Sequence, residues 1–301
     1  MFLIISILFS FFNCYSIIRK KVFMSKRIIA LGGGNIGDYS SNYPPLENII
    51  NEMIRLSGKE RPTLLFLAHT YPGDPTYQNY LYKVFRNHLQ DKFDVTFINT
   101  NELGNDLWGE GAVMAKIDEA DIIYEIGGDT FKMINFWQLQ GFDMMLRYAY
   151  NHGKIMSGFS AGANCWFEEC SSDYLQIEGD DDEPLMPIPG LGFHEGFFVP
   201  HSNKVDRVCS AKRFLRSNNM VGLLLADGAA LEIIDDQYRI LTGDYSKYNY
   251  EPHALKCYWK DDVYYTEELD LGTDFKQVSE LLSKNPESFE LDDDLKRTLK
   301  K

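Results

Sequence analysis

One serine of this sequence has the surroundings of a nucleophile. Ser160 lies between Gly158 and Gly162 in the pattern G-x-S-x-G, after an apolar run of strand-forming residues and before a stretch with helical character. A strand that turns into a helix at one residue strains that residue, and flanking glycines relieve the crowding. The strain exposes the serine oxygen above the sheet, where the first helix amides face developing negative charge. The pattern also occurs by chance, so an ordinary serine in a loop of small residues is the alternative.

A serine hydroxyl needs a base to remove its proton, usually a histidine that a carboxylate orients. His201 ends the apolar strand FFVP, and Asp227 follows the apolar strand VGLLLA. Groups at the carboxyl ends of neighbouring strands in an open parallel sheet converge, so we expect both residues near Ser160. Of the other histidines, His69 ends an earlier strand without an evident acid partner, and His194 lies in the loop LGFHEG.

The sequence leaves the identity of the acid open. Asp227 precedes a glycine, and Asp-Gly pairs favour turns whatever their function. Asp173, Asp206 and Glu232 are therefore alternative candidates. The order serine, histidine, acid differs from the serine, acid, histidine order of α/β-hydrolases, which argues against an esterase or a lipase.

Negative charge on a substrate oxygen requires amide donors near the serine. The segment EIGGDTF places Gly127 and Gly128 immediately before a predicted helix. We expect this glycine pair and the amide of Ala161 to supply the two donors.

Apolar strands alternate with amphipathic helices between Lys26 and Ser160. The predicted strands are RIIALGGG, TLLFLAHT, DVTFIN, DIIYEIGG and the run that leads to Ser160, which follows one long helix predicted from Thr130 to His152. Strands of this kind are parallel and covered by helices on both faces. Beyond Ser160, the strands GFFVPHSN and VGLLLADG precede ALEIID, YRIL, LKCYWKDD and VYYTEE, which predict antiparallel hairpins that extend or flank the sheet. The predicted fold class is α/β.

Residues 1–23 differ from the rest of the chain. This apolar stretch lacks a leading positive charge and a small-residue cleavage site, so it does not have the features of a secretory signal. We interpret it as an apolar extension upstream of Met24, with a membrane anchor as the alternative. Residues 24–301 show no repeat and no linker, which predicts a single α/β domain.

The composition argues against some functions. The net charge of −14 and the lack of a basic cluster on any predicted helix argue against nucleic-acid binding. The acidic run at 178–184 lacks the ligand spacing of a calcium loop and is interpreted as a solvated loop. Five cysteines without paired or zinc-type spacing indicate a reducing compartment, so we expect a cytoplasmic protein without stable membrane association.

Four segments together carry a family resemblance. IGGDTF, GFSAGANCWF, VPHSN and LLLADGAAL, in this order and spacing, resemble the aspartyl dipeptidase (peptidase E) family of serine peptidases, to which cyanophycinases are related. The resemblance covers roughly Arg27 to Asp236. It implies a mostly parallel, flavodoxin-like sheet like that of class I glutamine amidotransferases.

The resemblance also implies roles for individual residues. It implies that Ser160 is the nucleophile, His201 the base and Asp227 the acid. It also implies that Gly128 and Ala161 form the oxyanion hole. The family often has glutamate as its acid, and one family aspartate falls near Asp173, where the intervening loop is shorter here. Asp173 therefore stays an alternative acid.

The implied activity is hydrolysis of short peptides, as an exopeptidase or dipeptidase, through an acyl-enzyme on Ser160. The implied partner is a small peptide, no metal or organic cofactor is needed, and a homodimer is left open. A preference for an N-terminal aspartyl residue would require a cation in the pocket. The candidate cations are Lys132, Arg207 and Arg213, and the sequence marks no other substrate-binding residue.

Three other functions compete with this interpretation. A glutamine amidotransferase uses cysteine at the turn, but serine is present here and Cys165 lies more than a helical turn beyond it. A dinucleotide-binding protein would use Gly32, Gly34 and Gly37, but the second strand does not end in an acid and the next helix begins well after the glycines. A non-catalytic binding protein of the same fold is the third alternative.

Overall fold

The computed structural model describes residues 24–34, 36, 46–105, 111–179, 183–246 and 251–285. The apolar extension 1–23, Gly37, residues 180–182 of the acidic run and the polar tail 286–301 lie outside the described residues. Within the described ranges, no helix is long and apolar enough to cross a membrane.

The strands fall into two groups, before and after Ser160. In chain order they are β1 (Arg27–Leu31), β2 (Thr63–Leu67), β3 (Asp94–Ile98), β4 (Ile122–Glu125), β5 (Ile155–Phe159), β6 (Phe167–Ser172), β7 (Met186–Pro189), β8 (His194–Val199), β9 (Gly222–Leu225), β10 (Ala229–Ile234), β11 (Gln237–Thr242), β12 (Ala254–Lys260), β13 (Val263–Glu268) and β14 (Lys276–Gln277). The sequence indicated neither β6 nor β7.

The helices include two where one was predicted. In chain order they are α1 (Glu47–Ser57), α2 (Pro75–Leu89), α3 (Thr100–Asn105), α4 (Ala112–Glu119), α5 (Thr130–Gln140), α6 (Phe142–Asn151), α7 (Ala161–Asn164), α8 (Tyr174–Glu178), α9 (Val205–Ser217) and α10 (Val278–Leu282). The prediction of a single helix from Thr130 to His152 is wrong. Gly141 adopts a left-handed conformation, with φ of 69°, and its amide caps α5, so the helix ends there and α6 begins at the next residue.

The main sheet has eight strands in the order β14-β11-β10-β1-β5-β4-β2-β3. Strands β1 to β5 pair in parallel, whereas β10, β11 and β14 add antiparallel strands beside β1. The α/β class is therefore confirmed. The finer prediction, one mostly parallel flavodoxin-like sheet, stays a prediction. The strands after Ser160 are divided between this sheet and a second one.

A second sheet of six strands has the order β13-β12-β9-β8-β6-β7. Its central strands β6, β8 and β9 pair in parallel. His201 follows β8 and Asp227 follows β9, so both residues lie on this second sheet and not on the sheet that carries Ser160. The chain passes directly from β9 of the second sheet into β10 of the main sheet, which pairs with β1. At this crossing, an isolated bridge between Gly33 and Asp227 joins the two sheets.

Helices cover both faces of the main sheet. Along β1, Ile28 and Ala30 face the cluster that contains α5 and α6, whereas Ile29 and Leu31 face the cluster that contains α1 and α2. Alternating side chains of one strand point to opposite faces, so a continuous apolar strand fills two cores. This burial holds the carboxyl ends of β1, β4 and β5 in fixed positions beneath the site.

Candidate active site

Ser160 occupies a strained turn between β5 and α7. Its backbone has φ of 52° and ψ of −116°, a region that residues other than glycine rarely adopt. A Cβ at Gly158 would lie 2.4 Å from the carbonyl oxygen of Glu125, and a Cβ at Gly162 would lie 2.2 Å from the same oxygen. The two glycines of the motif are therefore required by close backbone approach, as the sequence analysis expected.

Ser160, His201 and Asp227 form a continuous series of hydrogen bonds. The Oγ of Ser160 lies 2.9 Å from Nε2 of His201, and Nδ1 of His201 lies 2.5 Å from Oδ1 of Asp227. Because an ionised carboxylate only accepts, Nδ1 carries the proton and Nε2 accepts from the serine hydroxyl. The structure thus brings together the three expected residues, but from two sheets, because His201 and Asp227 follow strands of the second sheet and Ser160 follows β5 of the main sheet.

Burial and hydrogen bonding act in opposite directions on Asp227. Burial alone would raise its pKa, but the hydrogen bond and charge of His201, followed by Asn203 and Lys204, outweigh burial and lower the pKa. Asn203 bonds to Asp227 twice, since its Nδ2 donates to Oδ2 at 3.1 Å and its Oδ1 accepts from the backbone amide at 3.1 Å. Asp227 is therefore a fixed carboxylate at neutral pH, able to stabilise an imidazolium.

Gly33 lies directly against the histidine and carboxylate. A Cβ at this position would lie 1.7 Å from Oδ1 of Asp227 and 2.7 Å from Nδ1 of His201. The neighbouring Gly32 accepts a hydrogen bond from the amide of His201 at 3.0 Å. The described part of the glycine run after β1 is therefore a close-packed support for His201 and Asp227.

The other acids considered from the sequence do not contact His201. Asp173 forms an ion pair with Arg207, and Asp206 is an exposed residue in the first turn of α9. Glu232 pairs with Arg239 inside the main sheet, where burial raises its pKa to about 7 although the Arg239 charge opposes the change. Among the candidates, the structure brings Asp227 alone to the histidine.

The glycine pair after β4 lies beside the serine. A Cβ at Gly127 would lie 3.2 Å from Cβ of Ser160, and a Cβ at Gly128 would lie 2.8 Å from Cβ of Thr70. Gly128 also has φ of 141°, which disfavours any other residue. Ala161 follows Ser160 and begins α7. The backbone amides of Gly128 and Ala161 are thus available in the immediate surroundings of Ser160.

A buried carboxyl that the sequence analysis did not single out lies beneath this glycine pair. Glu125 is fully buried, and its oxygens accept from the amides of His69, both at 3.2 Å, and of Ile126, at 2.9 Å. Burial raises the pKa of Glu125 to about 8, although the amide hydrogen bonds oppose this. An acid inside the apolar strand DIIYEIGG was the available signal.

The remaining histidine candidates have structural contacts. His69 is fully buried, its Nδ1 accepts from Nε1 of Trp137 at 2.9 Å, and its Nε2 lies 2.8 Å from the carbonyl of Ile98. Burial lowers the pKa of His69 to about 4, so it stays neutral. His194 bonds the carbonyl of Glu195 at 2.7 Å. Neither histidine contacts Ser160.

Two of the three cations proposed for an acidic substrate are already paired. Lys132 lies 3.5 Å from Asp129 and 3.3 Å from Glu178. Arg207 is buried against the carboxylate of residue 173. Arg213 is exposed and makes no ion pair with the residues that the structure describes.

Cys165 does not support the glutamine amidotransferase alternative. Its side chain is fully buried and its Sγ donates to the carbonyl of Gly162. Burial, with a further contribution from Glu125, raises the thiol pKa well above its usual value. A thiolate nucleophile is therefore disfavoured at this position.

A strained serine in contact with a histidine and carboxylate pair is the arrangement of serine hydrolases. The profile of peptidase family S51 matches residues 28–241. The chain is also 33% identical over 214 residues to the uncharacterized peptidase YgaJ of Bacillus subtilis (strain 168), across 70% of this chain and 85% of that protein. The chain belongs to peptidase family S51, the peptidase E family.

Solved structures share the fold. A peptidase from an acI-B1 Actinobacterium superposes with a TM-score of 0.57 at 16% identity, over 85% of this chain and 98% of that one. A putative peptidase E protein from Listeria monocytogenes EGD-e superposes with a TM-score of 0.50 at 15% identity, over 72% of this chain and 98% of that one. At this identity the likeness concerns the fold alone.

Proposed function

We propose that this peptidase hydrolyses short peptides through an acyl-enzyme on Ser160. The observation that carries the proposal is the hydrogen-bonded series from Ser160 Oγ to His201 and from His201 to Asp227, at 2.9 Å and 2.5 Å. A serine hydroxyl at neutral pH is a weak nucleophile until a base of this kind removes its proton.

The proposed reaction has two halves. His201 Nε2 takes the hydroxyl proton as Ser160 Oγ attacks the peptide carbonyl, and the amides of Gly128 and Ala161 bind the resulting oxyanion. When the C–N bond breaks, His201 gives this proton to the leaving amine. A water molecule then gives a proton to His201 and attacks the ester, and Ser160 recovers the proton as the acid product leaves. Asp227 stays ionised and stabilises the imidazolium in both halves.

The finer proposal is an exopeptidase that accepts dipeptides and favours an N-terminal aspartyl residue. Membership of the peptidase E family supports it. The paired states of Lys132 and Arg207 act against it, because an acidic side chain would have to compete with carboxylates that already hold those cations. A cytoplasmic location and a homodimer are likewise proposals that follow from the sequence.

A substrate panel tests both levels of the proposal. Purified full-length wild type and Ser160→Ala are compared on dipeptides and aminoacyl p-nitroanilides that include aspartyl and β-aspartyl members. We expect hydrolysis by the wild type that is lost in the variant. Persistent hydrolysis by Ser160→Ala would refute the nucleophile. Equal rates on aspartyl and alanyl substrates would refute the aspartyl preference while leaving the serine mechanism in place.

A further inference from the structure

A groove begins next to the proposed base and runs along helix α9. It has a volume of about 540 Å³, and its wall begins with Ser202 and Asn203, the two residues that follow His201. Asn203 is the residue whose side chain bonds twice to Asp227. One end of the groove is therefore attached to the His201 and Asp227 pair.

The groove extends away from the site between α9 and the β12–β13 hairpin. Its wall follows α9 from Val205 to Arg216, a span of about 16 Å at the rise of an α-helix. At the far end lies Trp259, which is held against α9 because its Nε1 donates to the carbonyl of Lys212 at 2.9 Å. This span equals about five residues of extended peptide.

The lining combines apolar surface with positive charge. Val205 is 72% exposed, and Trp259 adds an aromatic wall. Lys212 and Arg216 lie over the Trp259 ring, at 5.8 Å and 5.2 Å from its centre, and Arg213 lines the same groove. None of these three cations forms an ion pair with a residue in the described ranges, and the described lining contains no carboxylate.

The chemistry of the groove selects an acidic occupant. In a chain with a net charge of −14, a groove whose charged lining residues are all cations attracts anions. Burial lowers the pKa of Lys212, and the charge of Arg216 also lowers it, whereas Cys209 opposes the change. A nearby anion would stabilise the charged form of Lys212. Apolar side chains between the anionic ones would pack on Val205 and Trp259.

The direction of the proposed reaction identifies which part of a substrate lies there. His201 must protonate the leaving amine, so the leaving portion of the peptide lies on the His201 side of Ser160. We propose that this groove binds the leaving portion of a peptide substrate several residues long, in which acidic side chains alternate with apolar ones. This inference rests on the proposed function and extends the substrate class from dipeptides to longer acidic peptides.

Binding to a protein that cannot turn over the peptide tests the proposal. Full-length Ser160→Ala is titrated by calorimetry with Ala-Ala-Glu-Phe-Glu-Leu, with its matched peptide Ala-Ala-Lys-Phe-Lys-Leu, and with Ala-Ala. We expect the acidic hexapeptide to bind at least about tenfold more tightly than the other two, and the difference to shrink as salt is raised.

Two charge-matched variants locate the binding surface. In the Ser160→Ala background, the double substitution Lys212→Gln with Arg216→Gln should lower the affinity for the acidic hexapeptide about tenfold. Lys83→Gln with Arg86→Gln removes the same charge from the exposed face of α2 and should leave the affinity unchanged. Equal affinity for the acidic and lysine peptides, or equal loss in both double variants, would overturn the proposal.

Further outcomes separate the groove from its alternatives and from the proposed function. Binding of N-acetyl-phenylalanine as tight as that of the hexapeptide would overturn the proposal in favour of a small carboxylate ligand. Self-association of the protein that the acidic hexapeptide does not disrupt would overturn it in favour of a second copy. If the acidic hexapeptide binds as expected while wild type hydrolyses neither this hexapeptide nor any member of the substrate panel, the groove is an acidic-peptide site and the proposed function fails.

Discussion

Gly33→Ala is the substitution that tests most sharply how the two sheets build the site. The added Cβ would lie 1.7 Å from Oδ1 of Asp227 and 2.7 Å from Nδ1 of His201, so it would overlap the carboxylate oxygen that accepts from the histidine. Carbon and oxygen atoms do not approach so closely, and the carboxylate must move away by more than about 1 Å.

The size of the effect follows from that displacement. A misplacement of about 1 Å near the reacting groups costs about 100-fold in rate, and complete loss of the oriented acid in a serine protease costs about 10,000-fold. We therefore expect kcat/KM of Gly33→Ala to fall by between about 100-fold and 10,000-fold, which is about 3 to 5 kcal/mol of transition-state stabilisation.

Gly73→Ala is the matched control, because nothing lies within 4 Å of a Cβ at that position. Both variants and the wild type are assayed for kcat/KM on the best substrate of the panel, and their thermal unfolding is compared. A folded Gly33→Ala protein with the kcat/KM of Gly73→Ala would refute the assignment of Gly33 as the support of the His201 and Asp227 pair.

Three further substitutions have defined outcomes. Asp227→Asn should lower kcat about 10,000-fold, because the amide favours the wrong histidine tautomer, and a change below about tenfold would show that Asp227 does not orient His201. Gly162→Ala should destabilise the protein by at least about 1 to 3 kcal/mol in urea, since its Cβ would lie 2.2 Å from a backbone oxygen; unchanged stability would contradict the close packing. Burial raises the pKa of Glu125 from 4.5 to about 8, so the folded protein keeps a proton that the unfolded chain loses, and this stabilisation disappears as pH rises toward 8. Glu125→Gln has no such proton, so its stability relative to wild type should rise with pH, by up to about 1.4 kcal/mol per pH unit between about pH 5 and 8, and a difference that does not vary with pH would contradict the buried neutral acid.

Local sequence patterns were sufficient for the parts of the fold that local physics determines. The strand before Ser160 and the two glycines around it could be predicted because the turn itself demands them. The strands that end before His201 and Asp227 could also be predicted from their continuous apolar runs.

Long-range pairing is what the sequence did not reveal. Sheet membership depends on which distant strands pair, and so the second sheet and its strands β6 and β7 were missed. The contact of Gly33 with Asp227 joins residues far apart in the chain, and no pattern in the glycine run indicates it. The ion pair between Asp173 and Arg207 likewise needed the structure, although each residue had been singled out for another role.

Covalent labelling of the serine tests the central claim most directly. Full-length wild type, Ser160→Ala and His201→Ala are each treated with diisopropyl fluorophosphate, and the modified peptide is identified by mass spectrometry. We expect one residue, Ser160, to carry the diisopropylphosphoryl group in the wild type, no labelling in Ser160→Ala, and strongly slowed labelling in His201→Ala. Labelling of another residue at the same rate in Ser160→Ala, or labelling of Ser160 that does not depend on His201, would contradict this claim.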